Sequence, residues 1–519
     1  MINDFFLSIY AAASAGLLVY SLNCYIILGL FWRQRSRGRS AQRPTNTGHT
    51  PFGPLPVVTT QIPIYNEANV AERAIRAAAG IVWPRDRHEI QILDDSTDET
   101  RAIVDRTARE LRARGHRIVV LRRADRRGFK AGALAHGLRR AAGELIAIFD
   151  ADFLPPPNFL HATVPCFLHD QRLGLVQARW AHLNDADSLL TRAQAIGIDG
   201  HFVVEQPART FNGLLMNFNG TAGIWRRAAL DDAGGWTDDT LTEDLDVSYR
   251  AQLAGWRMHF LPGLAAPAEL PATVAGFKSQ QFRWAKGSIQ TARKLLPRVW
   301  RSERSLWVKL QATLHLNYYA IHPLMLAVAL LAAPLQWNAP APTPAARVVI
   351  GFMIAFSMLA PIALCVTSQC TLYRDWWKRL ATYPALLCIG VGVTATNTRG
   401  VLEALFGRTG EFVRTPKRGG QRGAKRYRVH TPVPPWIELA LGAYCTASLV
   451  AYAAAGKYAL APFLAIYASG FLGLGFAGWR ERYRAAPRPR APRRIHRPAG
   501  ARAGIFGRAG ERPREVQRA

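Results

Sequence analysis

Residues 5–32 carry no charged side chain, and this run limits the possible folds more than any other feature of the chain. It exceeds the roughly 20 apolar residues that a helix needs to cross a bilayer. No small-residue cleavage pattern marks its end, so residues 1–32 are expected to remain as an N-terminal transmembrane anchor. Arg33, Arg35, Arg37 and Arg39 follow at once. Basic residues beside a span face the cytoplasm, which puts the N-terminus outside. Residues 310–335, 348–369, 437–454 and 458–479 are also apolar and long enough to span. Residues 383–397 are apolar but short, with basic residues on both flanks, and read as an interfacial or re-entrant segment. Five spans keep every Arg-rich linker and the tail on the cytoplasmic side. A sixth at 383–397 would put either 374–379 or 408–428 outside.

The domain plan follows from this frame. Residues 33–56 form a basic linker and 57–305 a cytoplasmic domain. Two spans lie in 306–372, the interfacial segment and the loop after it in 373–436, and two more spans in 437–479. The Arg- and Pro-rich tail 480–519 is expected to be disordered, either solvated or touching anionic lipid. The expected location is the inner (plasma) membrane, multi-pass, with membrane lipids as partners. The formal charge of +30 would also suit nucleic acid, but no nucleic-acid motif is visible, so no such partner is expected. Six scattered cysteines contain no CxxC pair and read as small apolar residues, not a disulfide framework or zinc site. His315 and His322 read as helix-packing residues.

Within 57–305 the texture alternates. Strands are expected at 57–64, 89–93, 117–121 and 144–149, and helices at 69–79, 98–114 and 130–142. This βαβα rhythm defines an α/β domain with a mainly parallel sheet covered by helices. No GxGxxG follows the first strand, so a dinucleotide fingerprint is absent.

Three acidic clusters fall at strand ends or helix starts. Asp150 and Asp152 close the apolar run 146–149, where ligands bind in open α/β sheets, and paired carboxylates suit a hard divalent cation that also holds phosphate oxygens. A solvated turn is the alternative. Asp94-Asp95 follows the second strand, and Glu243-Asp244, with Asp246, forms the third cluster. Ser96–Glu99 and Thr240–Glu243 both fit capping boxes, which would give these two clusters local roles. Between them lies the basic loop Arg126-Arg127-Gly128-Phe129-Lys130-Ala131-Gly132, suited to a phosphate or else a solvated helix start. Together the pieces suggest a diphosphate-bearing donor, a bound cation, and a carboxylate acting as base on an acceptor hydroxyl.

The chain resembles the inverting, membrane-embedded family 2 glycosyltransferases, the cellulose synthase and cellulose synthase-like group, over roughly 57–417. Gln61-Ile62-Pro63-Ile64-Tyr65-Asn66-Glu67 is similar to the family's first strand, and Asp94-Asp95-Ser96 to its nucleotide-contacting motif. Lys130-Ala131-Gly132 resembles its donor-binding segment, Asp150-Ala151-Asp152 its DxD, Thr242-Glu243-Asp244 its TED, and Gln280-Gln281-Phe282-Arg283-Trp284 its QxxRW. Phe218-Asn219-Gly220-Thr221 is similar to the glucomannan and xyloglucan-backbone branches, and Glu411–Lys417 to the gating loop, with Thr415 and Lys417 the matching positions.

The resemblance implies a GT-A-like nucleotide-sugar-binding domain inserted between transmembrane helices. It implies Asp244 as general base beside Glu243, and Asp150 and Asp152 as ligands of Mg²⁺ or Mn²⁺. Glu67, Asp94, Asp95 and Lys130 would bind the donor. Gln280, Arg283, Trp284, Asn219, Gly220 and Thr221 would shape the diphosphate and acceptor site. Transfer of glucose from UDP-glucose to a growing β-glycan is the leading expectation, with GDP-mannose the second donor. A glycolipid synthase acting on diacylglycerol is the alternative. A non-enzymatic transporter or scaffold is the competitor from another class, against which the nearly charge-free spans count.

Overall fold

The computed structural model describes residues 2–36, 55–338, 343–408, 410, 415, 417–419, 427, 429 and 431–485. The expected linker and tail therefore lie almost wholly outside the described residues, as do Glu411–Arg414 and Pro416 of the loop.

Helix α1 (Ile2–Ser36) precedes the α/β domain. The first half of that domain runs β1 (Val58–Ile64), α2 (Ala71–Ala79), β2 (His88–Asp94), α3 (Thr100–Ala113), β3 (Arg117–Leu121), α4 (Phe129–Leu138) and β4 (Leu145–Ile148). The second half runs α5 (Phe159–His169), β5 (Leu173–His182), α6 (Leu189–Gly200), a π-helical turn (His201–Glu205), α7 (Gln206–Phe211), β6 (Gly223–Arg226), α8 (Arg227–Asp232), α9 (Glu243–Leu253), β7 (Arg257–Ala268) and α10 (Val274–Arg301).

The seven strands form one sheet in the order β3-β2-β1-β4-β6-β5-β7. β1 pairs in parallel with β2, from Val58 opposite His88 to Ile64 opposite Asp94, and with β4 on its other side. Only β6 runs against its neighbours β4 and β5, so the sheet is mainly parallel with one reversed strand. Both faces are covered. Ile62 and Ile92 pack with Ile75 of α2 and Val104 of α3, whereas Ile146, Ile148 and Trp225 pack with Leu134 of α4 and Val247 of α9. Burial on both faces explains why β2 and β4 read as near-continuous buried runs. The polar side chains inside β1 and β2 pair across the strands: Thr59 with Glu89 at 2.7 Å, Thr60 with His88 at 2.8 Å and Gln61 with Gln91 at 3.0 Å. The chain leaves β1 toward β2 on one side and β4 on the other, which opens a crevice at their C-terminal ends.

The helix starts differ from expectation for one reason. Neither capping box forms: α3 begins at Thr100 after Glu99, and α9 at Glu243 after Thr242, in both cases without a side-chain cap. Asp98 instead accepts from the Thr100 amide at 3.0 Å, and Asp94 from the Ser96 amide at 3.0 Å, so these side chains shape turns outside the helices.

Six described helical stretches are long and apolar enough to cross a membrane. Five correspond to the expected spans, and the sixth is Trp376–Leu405, which includes the expected interfacial segment. It is composite: the helix Tyr383–Gly392 is separated by Val393 from the helix Thr394–Leu405. Exposed apolar side chains such as Val19, Phe352, Val450 and Phe476 lie on the candidate spans, as lipid-facing surfaces require. All six cysteines are free. His315 Nδ1 lies 2.7 Å from the Tyr249 hydroxyl, and His322 Nε2 lies 2.8 Å from Asn397 Nδ2, so each ring has a partner on another helix.

Candidate active site

The crevice at the ends of β1 and β4 is a cavity that gathers residues from distant parts of the chain. Lys130 projects from the first turn of α4, and Asp150 and Asp152 follow β4. Glu243 and Asp244 occupy the first turn of α9, where the helix dipole favours negative charge. Gln280, Arg283 and Trp284 come from α10, Asn219 and Gly220 from the loop before β6, and Thr415 and Lys417 from between Trp376–Leu405 and the last two candidate spans. Glu67 and Asp95 complete the expected set that lines it.

Two expected residues do not line the cavity. Asp94 is buried beneath it, accepting from Arg122 Nε at 2.8 Å and from the Ser96 amide, so it holds the turn that presents Asp95. Thr221 is fully buried, and its hydroxyl accepts from the Asp150 amide at 2.9 Å, so it positions the DxD backbone. Asp246, the last member of its acidic cluster, is also structural: Arg250 and Lys294 hold it at 2.6 and 2.9 Å.

The electrostatics are organised around two lysines. Lys130 Nζ lies 2.7 Å from Asp150 Oδ1 and 3.7 Å from Glu243 Oε1, and it donates to the Gly220 carbonyl at 2.9 Å. Lys417 Nζ lies 2.7 Å from Asp152 Oδ2. Burial alone would depress the Lys130 ammonium, but Asp150 and Glu243 outweigh it and hold its pKa above the ordinary range. Asp244 behaves in the opposite way. Burial, reinforced by the Glu243 charge and opposed by Lys130, pushes its carboxyl up to about 7. Asp95 is engaged by the Arg123 guanidinium, with Nε 3.0 Å from Oδ1. Arg283 Nη2 donates to Thr415 Oγ1 at 3.3 Å, and burial lowers its pKa against the pull of Glu243, Asp150 and Asp244.

Helix α10 does more than supply Arg283 and Trp284. Gln290 accepts from the Leu241 amide at 2.9 Å, and Thr291 lies 3.2 Å from Thr242, so α10 also fixes the loop that carries Glu243 and Asp244. Gly220 shows how tight the centre is. At φ +79°, its Cα faces Asp244 so closely that a β-carbon would lie 2.8 Å from Oδ2 and 3.2 Å from Lys130 Nζ. Of the three described non-glycine residues at positive φ, Phe129 lines this cavity and Asn66 lies between the lining residues Tyr65 and Glu67, while Ala222 is in the core two positions after Gly220. Such conformations cost about 1–3 kcal/mol each and cluster at active sites.

Asp150 and Asp152 fit a divalent cation. No described group of three or more His, Cys, Asp or Glu could form an all-protein cage. Mg²⁺-type ions instead take one or two carboxylates and complete their shell with substrate phosphates and water. Each aspartate already attracts a lysine ammonium at 2.7 Å, the charge pattern of a cation-seeking pair.

Sequence reasoning missed two groups here. Glu269 lines the cavity, with Oε1 held by Arg73 at 2.7 Å and Oε2 accepting the amides of Arg418 and Gly419 at 3.0 and 3.1 Å. A lone acid closing the apolar strand β7 was the available signal. Arg126 was noted only as part of the basic loop, yet it stacks 3.4 Å over the Tyr65 ring at the rim.

The fold is that of a GT-A-like domain with a charged crevice at its strand ends, flanked by helices able to cross a membrane. A sequence model described as "Glycosyltransferase like family 2" matches residues 56–287, which takes in most of the α/β domain. Among similar curated proteins, glucomannan 4-beta-mannosyltransferase 2 of Arabidopsis thaliana is 40% identical over 296 residues, 56% of this chain and 55% of the relative. Probable glucomannan 4-beta-mannosyltransferase 7 of Oryza sativa subsp. japonica is 45% identical over 247 residues, 47% of this chain and 42% of the relative. The chain thus spans about half the length of these relatives. Among solved structures, the mannosyltransferase PcManGT from Pyrobaculum calidifontis, in complex with GDP-Man and Mn²⁺, is similar in fold. Its TM-score is 0.52 at 20% identity, over 79% of this chain and all of that one.

Proposed function

We propose that this protein is an inverting hexosyltransferase that moves mannose from GDP-mannose to the end of a growing β-glycan at the inner (plasma) membrane, with its catalytic domain in the cytoplasm. The observation that carries this reading is the meeting of Asp244, Lys130, Asp150 and Asp152 in one cavity, with the base and the diphosphate-type ligands within reach of one donor. Sequence alone put UDP-glucose ahead of GDP-mannose. The names of the two relatives above, both glucomannan 4-beta-mannosyltransferases, support the reverse order.

Asp244 accepts the proton of the acceptor hydroxyl as that oxygen attacks the anomeric carbon from the face opposite the leaving group. Positive charge building on the sugar ring is of the kind met in glycoside hydrolysis. Asp150 and Asp152 would hold Mg²⁺ or Mn²⁺, which when bound supplies charge compensation for the departing nucleoside diphosphate. Arg283 and Lys417 offer donors to phosphate oxygens, and the Trp284 indole offers a face to a sugar ring. Glu67 and Asp95, which also line the cavity, would face the nucleotide.

A donor panel tests the reading. Purified full-length protein in lipid nanodiscs is given labelled GDP-mannose or UDP-glucose with Mn²⁺ and a manno-oligosaccharide. Alkali-stable, lengthened saccharide from GDP-mannose is expected. Faster use of UDP-glucose would reassign the donor, a chloroform-soluble product would reassign the acceptor to lipid, and no turnover of either donor would sink the proposal.

A further inference from the structure

Helices α6 and α7 are one rod interrupted by the π-helical turn His201–Glu205. Such turns are rare inside α-helices and are frequently found at functional sites. This one directs a connected set of side chains at Asn219. His201 Nε2 lies 3.1 Å from Asn219 Nδ2, and Gln206, the first residue after the turn, donates to Asn219 Oδ1 at 2.7 Å. Gln206 also donates to the Asn217 carbonyl at 2.8 Å and is completely buried. Behind the ring, Glu205 Oε2 stands 2.9 Å from His201 Nδ1, while Glu205 Oε1 takes Arg209 Nε at 2.9 Å. The carboxylate can only accept, so Nδ1 carries the proton and Nε2 accepts from Asn219. The backbone amide of Asn219 is held in turn by Gln177 Oε1 at 3.2 Å.

Each end of the Asn219 amide therefore has a fixed protein partner. One N–H and one carbonyl lone pair remain, both with set directions. Asn219 lines the cavity next to Gly220, which abuts the Asp244 carboxylate, so those two groups flank the place where an attacking hydroxyl must stand. The far side of the turn is equally fixed: Val203 and Val204 pack against Ile27, Leu28 and Phe31 of α1.

We infer that the His201–Glu205 turn, with Gln206, is a positioning device for acceptor recognition: it locks the Asn219 amide so that its remaining N–H and lone pair read neighbouring hydroxyls of the acceptor's terminal sugar. This rests on the sugar-transfer reading above. His201 touches no substrate and acts only through Asn219.

Two isosteres separate this role from mere packing. In His201→Gln the side-chain amide reaches the Nε2 position and restores an acceptor for Asn219. In His201→Asn the amide reaches only the Nδ1 position and leaves Asn219 unheld. With full-length protein in nanodiscs, labelled GDP-mannose and a manno-oligosaccharide, His201→Asn is expected to raise the acceptor KM about 10-fold and to increase donor hydrolysis relative to transfer. Its donor KM should stay within about twofold, and His201→Gln should recover most of the loss. An unchanged acceptor KM in His201→Asn, or equal damage from both substitutions, would overturn the device while wild-type transfer stands. Absence of transfer by the wild type would overturn the sugar-transfer reading and this inference with it.

Discussion

At the residue scale the proposed base, Asp244, stands out because its surroundings oppose its charge. With the carboxyl pushed up to about 7 by burial and Glu243, against Lys130, it is a far stronger base than an exposed aspartate. The sign is plain: the base works deprotonated, so kcat/KM should rise with pH through about 7 and then level off. Asp244→Asn should lower kcat by roughly 10²- to 10⁴-fold and flatten that limb, with donor affinity retained. A pH-rate series on the wild type and variant checks this, and an unchanged limb in Asp244→Asn would assign the titration to another group. The type and spacing of this residue were legible in sequence. Its basicity was not, because that depends on Lys130, Glu243 and burial arriving from separate elements. Asp94 shows the converse. Next to Asp95 in sequence, it faces the opposite way along the strand end and anchors Arg122 instead of lining the cavity.

At the scale of elements, Thr415, Lys417, Arg418 and Gly419 are held onto the α/β domain by groups that sequence did not connect. Lys417 Nζ reaches both Asp152 and the Glu269 carbonyl, the latter at 2.6 Å, and the Glu269 carboxylate takes the next two backbone amides. Glu269→Gln replaces one carboxylate oxygen by a donor, which must then face either Arg73 or those amides. Hydrogen bonds to charged groups contribute about 1.5–3 kcal/mol, so trypsin cleavage after Lys417 and Arg418 should accelerate by about 10-fold or more. Mass-spectrometric timing of limited proteolysis measures it, and an unaltered cleavage rate would show that Glu269 does not hold the segment. Thr415 and Lys417 were readable as a motif. Glu269 was not, because a pairing across 149 or 150 positions leaves no local pattern.

For the whole molecule the open question is how the frame crosses the bilayer. Both ends of Trp376–Leu405 are tied to the α/β domain or the helix–strand connections within it. Arg379 pairs with Asp185, between β5 and α6, at 3.0 Å, and Glu403 pairs with Lys286 of α10 at 2.8 Å. A stretch whose two ends hold the same domain returns to the side it left. Single cysteines placed at Arg374 and Arg408 in a cysteine-free background should therefore both react with an impermeant maleimide from the side of the catalytic domain. Labelling from opposite faces would make this stretch a sixth crossing and reverse the sidedness of the last helix pair.

The α/β rhythm, the apolar runs and the acidic clusters were determined by sequence alone, because each depends on local periodicity or on residues a few positions apart. Only the tertiary structure decided which carboxylates share a cavity, that β6 runs against its neighbours, and that Lys130 and Lys417 meet the two aspartates from opposite ends of the domain plan. It also decided that a π-helical turn holds Asn219. These are long-range pairings selected by burial and charge balance, and no short window of sequence contains both partners.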